Sequence, residues 1–384
     1  MYIGLTLRRD GGTWRAVARY RDDEGRVRQR TRAMRARRKG DASAEAAAWY
    51  AGLVAAEGGA AQQAAAPARA RPQTVAGWVS EYVERLGATG SIEASTLRGY
   101  RHTVKLVADG LGETPLGALT PGRAQEWESE MTGRGLSSST VGKAHRLVKQ
   151  AMRAAVMDGR VAANPMDAVR PPKRRNAHEG INALDASWRA WLLSTLDAIG
   201  ETPVTVAARV ALWTGLREGE VCGLQWRDAD LDARTLWVRR SVGVGDGGRY
   251  VKAPKTNRAR DVAMPGELAA TLAAWRDAGG AWDPGDFVLS RGAEPYSPTM
   301  VSREWAMLAR LLDLRGTEGR RVTFHDLRHT WATMAVAAGV DIKTVASNLG
   351  HANAAMTLNV YASADPDAKR RAADVIARAM RGES

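Results

Sequence analysis

The chain opens on a two-residue alternation. Trp14, Ala16, Ala18 and Tyr20 interleave with Arg15, Val17, Arg19 and Arg21, a period that predicts a strand. Asp23-Glu24-Gly25 supplies a turn. Arg26, Arg28, Arg30 and Arg32 then alternate with Val27, Gln29 and Thr31, which predicts a second strand. The Ala-rich stretch from Ser43 to Glu57, with Trp49, Leu53 and Val54, is expected to form a helix covering the face of this sheet opposite its arginines. Residues 58–72 are rich in Ala, Gly, Gln and Pro with no aromatic, and read as a linker. Beyond it the period becomes helical: Val75, Trp78, Val79, Tyr82 and Val83 share one face. Ser95 is placed to cap a helix carrying Leu97, Tyr100, Val104 and Val107. Thr120-Pro121 pairs an N-cap with proline at the first helical position, in a helix ending near Gly133. A fourth helix spans Ser137 to Met157, which makes 73–170 a helical bundle. The basic, proline-broken run from Pro165 to Arg175 leads into a second linker at 171–181.

Residues 182–384 alternate helices with one short β region. Thr235–Arg240, Arg249–Ala253 and Ala259–Met264 are expected to form one small antiparallel sheet. A helix follows Pro265-Gly266, and further helices are predicted at Pro298–Leu311, Thr323–Ala338, Ile342–Leu349, Ala354–Ala362 and Pro366–Met380. The fold class is therefore mainly α with small β-sheets, of the α+β kind.

Charge changes the picture. The 384 residues carry 56 basic and 42 acidic side chains, a net +14. Residues 1–39 hold thirteen of the bases against four acids, so a tenth of the chain carries +9 of that excess. A solvated basic tail would explain the charge but not the strand order. A small folded DNA-binding module at 1–57 explains both, with Arg15, Arg19, Arg28 and Arg30 as contacts. In the bundle, Arg98, Lys143 and Arg146, with Lys149, are candidates for phosphate contacts. No apolar run reaches the ~18–20 residues of a membrane span, and no apolar leader follows Met1. A single cysteine excludes an internal disulfide framework. The expectation is a cytoplasmic protein of a reducing compartment with a polyanionic partner.

Four separated segments place polar groups in apolar surroundings. Arg217 sits between Gly215 and Gly219 at the junction of two apolar helical stretches, with Glu218 and Glu220 near enough for a salt bridge. Lys255 lies in a loop between two strands, with Lys252 a possible substitute. His325 and Arg328, three apart, share a helical face. His351 follows Leu349-Gly350, and Tyr361 comes ten residues later. Two arginines can neutralise the non-bridging oxygens of a pentacoordinate phosphorus. A tyrosine can be a covalent nucleophile, and Lys or His can protonate a leaving oxygen. No carboxylate cluster for Mg²⁺ and no P-loop is visible, so neither metal nor cofactor is expected. His329 reads as structural, Cys222 as a buried apolar residue, and Trp226 and Trp331 as core.

The segments TGLREGEVCGLQWRDADLD, APKTNRARDVAMP, TFHDLRHTWATMAVAAGVDIKTVASNLGH and MTLNVYA, in this order, resemble the tyrosine recombinases, or phage integrases. Residues 73–170 resemble the helical core-binding domain of that family. Residues 1–57 resemble the arm-type DNA-binding domain of lambda-like integrases, and 182–384 the mixed α/β catalytic domain. The resemblance implies that Tyr361 attacks a phosphate to give a 3′-phosphotyrosine and a free 5′-hydroxyl. Arg217 and Arg328 would hold the non-bridging oxygens, Lys255 would protonate the leaving oxygen, and His325 and His351 would assist. It also implies strand exchange through a Holliday junction in a homotetramer on double-stranded DNA with core and arm sites. An excisionase and a host DNA-bending protein are implied as further partners, and a C-terminal helix near 365–380 as a dock on a neighbouring subunit. Three other readings compete with integration and excision of a mobile element. They are a chromosome-dimer resolvase, a type IB topoisomerase and a non-catalytic DNA-binding relic of an integrase.

Overall fold

A computed structural model of the chain describes residues 2–22, 24–58, 73–171, 180–254, 259–350, 377–378 and 380–381. The chain divides into two compact units, Met1–Ala177 and His178–Ser384.

The first unit begins with three strands, β1 (Tyr2–Asp10), β2 (Thr13–Arg21) and β3 (Val27–Ala33), in an antiparallel sheet of that order. α1 (Lys39–Gly58) packs against β1 and β2. Leu5, Leu7, Trp14 and Ala16 meet Ala42, Ala46 and Trp49 in a small core. The alternation at 14–21 and 27–32 is present as strands, and β1 completes the sheet. The register decides which arginines share a face, because directly paired residues point the same way. Ala18 pairs with Leu5 and Arg30, and Tyr20 with Arg28, so Arg28, Arg30 and Arg32 lie on the α1 side of the sheet. Arg19 pairs with Gln29, and Arg15 with Arg8, on the opposite face. The two arginine sets thus project to opposite sides, and the expectation that the helix would cover the face opposite the arginines fails for β3, because the register turns its arginines to the α1 side. Those of β3 escape cover because α1 stops short of them; all seven β3 residues are exposed.

The bundle is α2 (Val75–Ala88), α3 (Ala94–Leu111), α4 (Pro121–Gly133) and α5 (Ser138–Met157). The hydroxyls of Thr74, Thr120 and Ser137 accept the backbone N–H three residues on, which satisfies otherwise orphaned donors. Ser95 is not a cap: Glu93 occupies the N-cap position of α3 and Ser95 lies in the first turn. Trp78, Val79, Val107, Leu111, Trp127, Leu147 and Met152 fill the core, each such apolar side chain worth about 1.5–3 kcal/mol of burial. The Trp78 indole N–H donates to the Ala151 carbonyl at 2.7 Å, whereas the buried indole N–H of Trp127 has no partner among the described residues. Lys143, Arg146 and Arg153 are exposed along α5.

The second unit is built on α7 (Pro203–Thr214), which follows α6 (Ala186–Ile199) and is buried on nearly every side. Its sequence, PVTVAARVALWT, offers small residues all round, so α6, the short α8 (Glu218–Cys222), α9 (Gly266–Asp277), α10 (Pro298–Leu311) and α11 (Phe324–Ala337) can pack on it. α12 (Ile342–Leu349) packs on α11. The β region is two sheets, not one. Of its strands, β4 (Ala229–Asp230), β5 (Thr235–Val238), β6 (Ser241–Gly245), β7 (Gly248–Lys252) and β8 (Arg260–Ala263), the first sheet orders β4-β5-β8 and the second is the β6-β7 hairpin. The strand at 249–253 pairs with 241–245 because the tight turn at Asp246-Gly247 closes a local hairpin first. The linkers expected at 58–72 and 171–181, save Gly58 at the end of α1 and positions 171, 180 and 181, and the predicted helices at 354–362 and 366–380, save 377, 378 and 380, lie outside the described residues.

Candidate active site

α7 ends at Gly215, whose left-handed conformation (φ 70°, ψ 15°) turns the chain into Leu216 and Arg217. Leu216 is buried and anchors the turn. Arg217 occupies the N-cap position of α8. Its backbone N–H donates to Glu220 Oε2 at 3.0 Å, and its Nη1 donates to Glu220 Oε1 at 3.0 Å. The salt-bridged reading of Arg217 is therefore true with Glu220. Glu218 instead accepts from the Ser302 hydroxyl at 2.6 Å.

Arg328 stands in the first turns of α11. That helix starts where Thr323 and Asp326 cap each other reciprocally: the Thr323 N–H donates to Asp326 Oδ2 at 2.8 Å, and the Asp326 N–H donates to Thr323 Oγ1. Arg328 is 4% exposed. Its Nη1 donates to the Gly215 carbonyl at 2.7 Å and its Nη2 to the Leu349 carbonyl at 2.6 Å. A third guanidinium, Arg260 of β8, joins them. It makes a bidentate pair with Glu220 (3.1 and 2.7 Å) and donates through Nε to the Asn348 carbonyl at 2.8 Å. Arg217 Nη2 reaches the Gly350 carbonyl at 3.1 Å.

Two guanidiniums, of Arg217 and Arg260, thus hold one carboxylate, and the third, of Arg328, is close enough to feel its charge while bonding only main-chain carbonyls. Burial raises the Glu220 carboxyl, but hydrogen bonds and charge from Arg260 and Arg217 outweigh it and hold it below the ordinary range. Burial, then the charge of Arg217, pushes Arg328 down to about 9, so it stays protonated at neutral pH. His325 keeps an exposed edge, yet desolvation by the surrounding protein and the neighbouring His329, Arg328 and Arg217 push it down to about 4. It is neutral at pH 7 and can accept a proton or a hydrogen bond. His329, also lowered by burial, stacks edge-on against it with centroids 4.7 Å apart. The excess charge at the N-terminal end of α11 suits a phosphodiester.

Of the six residues singled out by sequence, Arg217, His325 and Arg328 come together. Lys255, His351 and Tyr361 lie outside the described residues. Lys252 ends β7 with its ammonium 5.8 Å from the Tyr250 ring centroid. Glu220 as the hub of the cluster and Arg260 were not anticipated as site residues. Glu220's place three after Arg217 was a usable signal, whereas Arg260's was not. Arg15 pairs with Asp10 at 2.8 Å and Arg28 with Asp22 at 3.0 Å, while Arg19, Arg30, Arg98, Lys143 and Arg146 are exposed. Cys222 is fully buried and burial pushes its thiol up, while Trp226 and Trp331 are core residues. Among the described residues no group of three or more His, Cys, Asp or Glu could hold a metal, and no helix is long and apolar enough to cross a membrane.

The chain is similar in sequence and fold to known proteins. The sequence model of the phage integrase family matches residues 192–367. Tyrosine recombinase XerC of Rhodospirillum centenum is 30% identical over 302 residues, covering 72% of this chain and 83% of the relative. The ICEBs1 integrase of Bacillus subtilis is 29% identical over 174 residues, 43% of this chain and 46% of that protein. Among solved structures, the Tn1549 transposon integrase in complex with a circular intermediate DNA has a TM-score of 0.66 at 25% identity, over 79% of this chain and 99% of that one. A lambda integrase dimer bound to a core site shares the fold, with a TM-score of 0.58 at 22% identity over 93% of each chain. The fold and the cationic site define a site-specific DNA recombinase. The chain belongs to the tyrosine recombinases of the phage integrase family.

Proposed function

We propose that this protein is an integrase that inserts and excises a mobile element such as a prophage or an integrative conjugative element. The observation that carries the reading is the pair Arg217 and Arg328, held in one cluster with Arg260 and Glu220, a preorganised excess of positive charge in which those two arginines keep guanidinium N–H groups to spare. The Tyr361 phenol oxygen attacks a scissile phosphate while its proton passes to water or a neighbouring histidine, and the P–O bond to the 5′ oxygen breaks. Arg217 and Arg328 stabilise the two non-bridging oxygens as charge builds on them. Lys255, or Lys252 in its place, gives a proton to the leaving 5′ oxygen, and His325 and His351 hydrogen-bond the phosphate. The product is a 3′-phosphotyrosine that a second strand's 5′-hydroxyl resolves, so bond energy is kept without ATP. Exchange passes through a Holliday junction in a homotetramer.

The sheet-and-helix module at 2–58, with its arginines, favours integration over chromosome-dimer resolution, because it offers a second DNA contact. The likeness to the Tn1549 and ICEBs1 integrases supports the same choice. In this reading the protein works in the cytoplasm at the nucleoid, with arm and core sites bridged by one protomer, and with an excisionase and a DNA-bending host protein setting direction.

The test uses a duplex selected by the wild-type protein from a randomised pool, nicked beside the cleavage position so that religation fails. Wild type should form a covalent DNA adduct and Tyr361→Phe none. Binding without an adduct from wild type would make the protein a DNA-binding relic, and an adduct from the variant would assign the nucleophile elsewhere.

A further inference from the structure

The last carbonyls of a helix have no partner within it, and they form the negative end of its dipole. At the end of α12 three consecutive carbonyls, of Asn348, Leu349 and Gly350, are each taken by a different arginine: Arg260, Arg328 and Arg217 in turn. These arginines come from β8, α11 and the N-cap of α8, so the end of α12 is where three parts of the second unit meet. Residue 351 follows at once.

The three arginines are not equivalent. Arg217 and Arg328 place two N–H groups each on main-chain or carboxylate acceptors near the pocket, out of the five a guanidinium has. Arg260 commits three, two to Glu220 and one to Asn348, and its side chain is 10% exposed. It has little left to give a substrate. Its planar fork instead ties the end of α12 to Glu220, and Glu220 in turn grips both the backbone and the side chain of Arg217. Gly350 lets this happen. It is left-handed (φ 58°, ψ 48°), and a Cβ there would stand 2.9 Å from Arg260 Nη1.

We propose that Arg260 is a positioning residue for strand cleavage, one that seats the C-terminus of α12 on Glu220 and thereby aims Arg217. The inference rests on the integrase reading. A lysine cannot replace it, because a single ammonium cannot span Asn348 and both Glu220 oxygens in one plane.

The experiment measures single-turnover adduct formation by the full chain at saturating nicked DNA, alongside DNA affinity and melting temperature. Arg260→Lys should slow adduct formation by about 30- to 100-fold, the scale of a misplaced reacting group. Its DNA affinity should stay within about threefold, since Arg260 is not a phosphate contact. Gly350→Ala, which presses on Arg260 while leaving it in place, should show the same split. A substrate with sulfur in place of the bridging 5′ oxygen needs no proton on its leaving group. The Arg260→Lys defect should persist on it, because the fault lies in Arg217 and not in the acid. Wild-type rates in Arg260→Lys would overturn the proposal. So would rescue by the sulfur substrate, and so would parallel losses of rate, DNA affinity and melting temperature, which would make Arg260 merely structural. Absence of an adduct from wild type itself would instead defeat the integrase reading.

Discussion

Replacing Gly215 by alanine should test how tightly the cationic site is built into the core. Gly215 is left-handed, and its carbonyl is an acceptor for Arg328. An L-residue in that conformation costs about 1–2 kcal/mol. The new Cβ would also lie 2.8 Å from Trp331 Cε3 and 2.9 Å from Leu349 Cδ2. Both neighbours are buried, Leu349 almost completely, so neither can swing into solvent. Forcing a methyl into such a place costs about 1–3 kcal/mol more. Gly339 provides the comparison: it too has a positive φ, 83°, but nothing within 4 Å of its Cβ position. Gly339→Ala therefore carries the backbone cost alone. For a unit of this size each kcal/mol moves the melting temperature by about 2–4 °C, so Gly215→Ala should melt about 6 °C below Gly339→Ala. Scanning calorimetry on the full chain, following the transition of the second unit, reads the difference directly. Equal shifts for the two variants would refute the packing argument, and a larger shift at Gly339 would reverse it.

On the opposed arginine faces, Arg19→Ala should lower the slope of log affinity for DNA against log salt by about 0.9, as loss of one phosphate contact does. Arg30→Ala, on the other face and 5.4 Å from the Tyr20 ring centroid, should leave that slope unchanged; equal losses would mean that the sheet enters the groove edge-on. Asp326→Ala removes the acceptor that starts α11, and should cost about 1–2 kcal/mol in denaturant unfolding; an unchanged midpoint would mean that the cap does not hold the helix. His325 stays neutral in the folded protein to about 4, whereas an unfolded histidine protonates near about 6.5. The unfolded chain therefore binds more protons between those values, and stability falls as pH falls through that window. His325→Gln should flatten the urea midpoint between pH 7 and 5, and profiles parallel to wild type would contradict the neutral assignment.

The elements that periodicity describes were readable from the sequence. α4 begins at Thr120-Pro121 as expected, and α10 and α12 have the expected ends. Periodicity within a strand cannot tell which way its arginines point relative to the next strand. The register of β2 against β3 settles that, and it sets Arg19 and Arg30 on different faces. The β6-β7 hairpin was half missed because Ser-Val-Gly-Val-Gly has little strand character until a neighbour pairs with it. At the site, Arg217, His325 and Arg328 stood out because their chemistry is unusual among apolar neighbours. The acceptors that orient them did not. Gly215, Asn348, Leu349 and Gly350 act through main-chain carbonyls, which every residue has. Arg260 is one basic residue among many in a loop-flanked strand until its two distant partners are seen.

β3 is one of the two outer strands of its sheet, and all seven of its residues are exposed. An open strand edge of this kind is a template for another strand. Here a second copy arriving edge to edge would bring Arg28, Arg30 and Arg32 against the same three side chains, about 5 Å apart across the new pair. The sheet thus repels its own likeness through charge, and that repulsion reaches only about 10 Å in 0.1 M salt. Self-avoidance in this module is therefore a property lent by the solution. Concentrated salt, or any polyanion that neutralises the three arginines, weakens it.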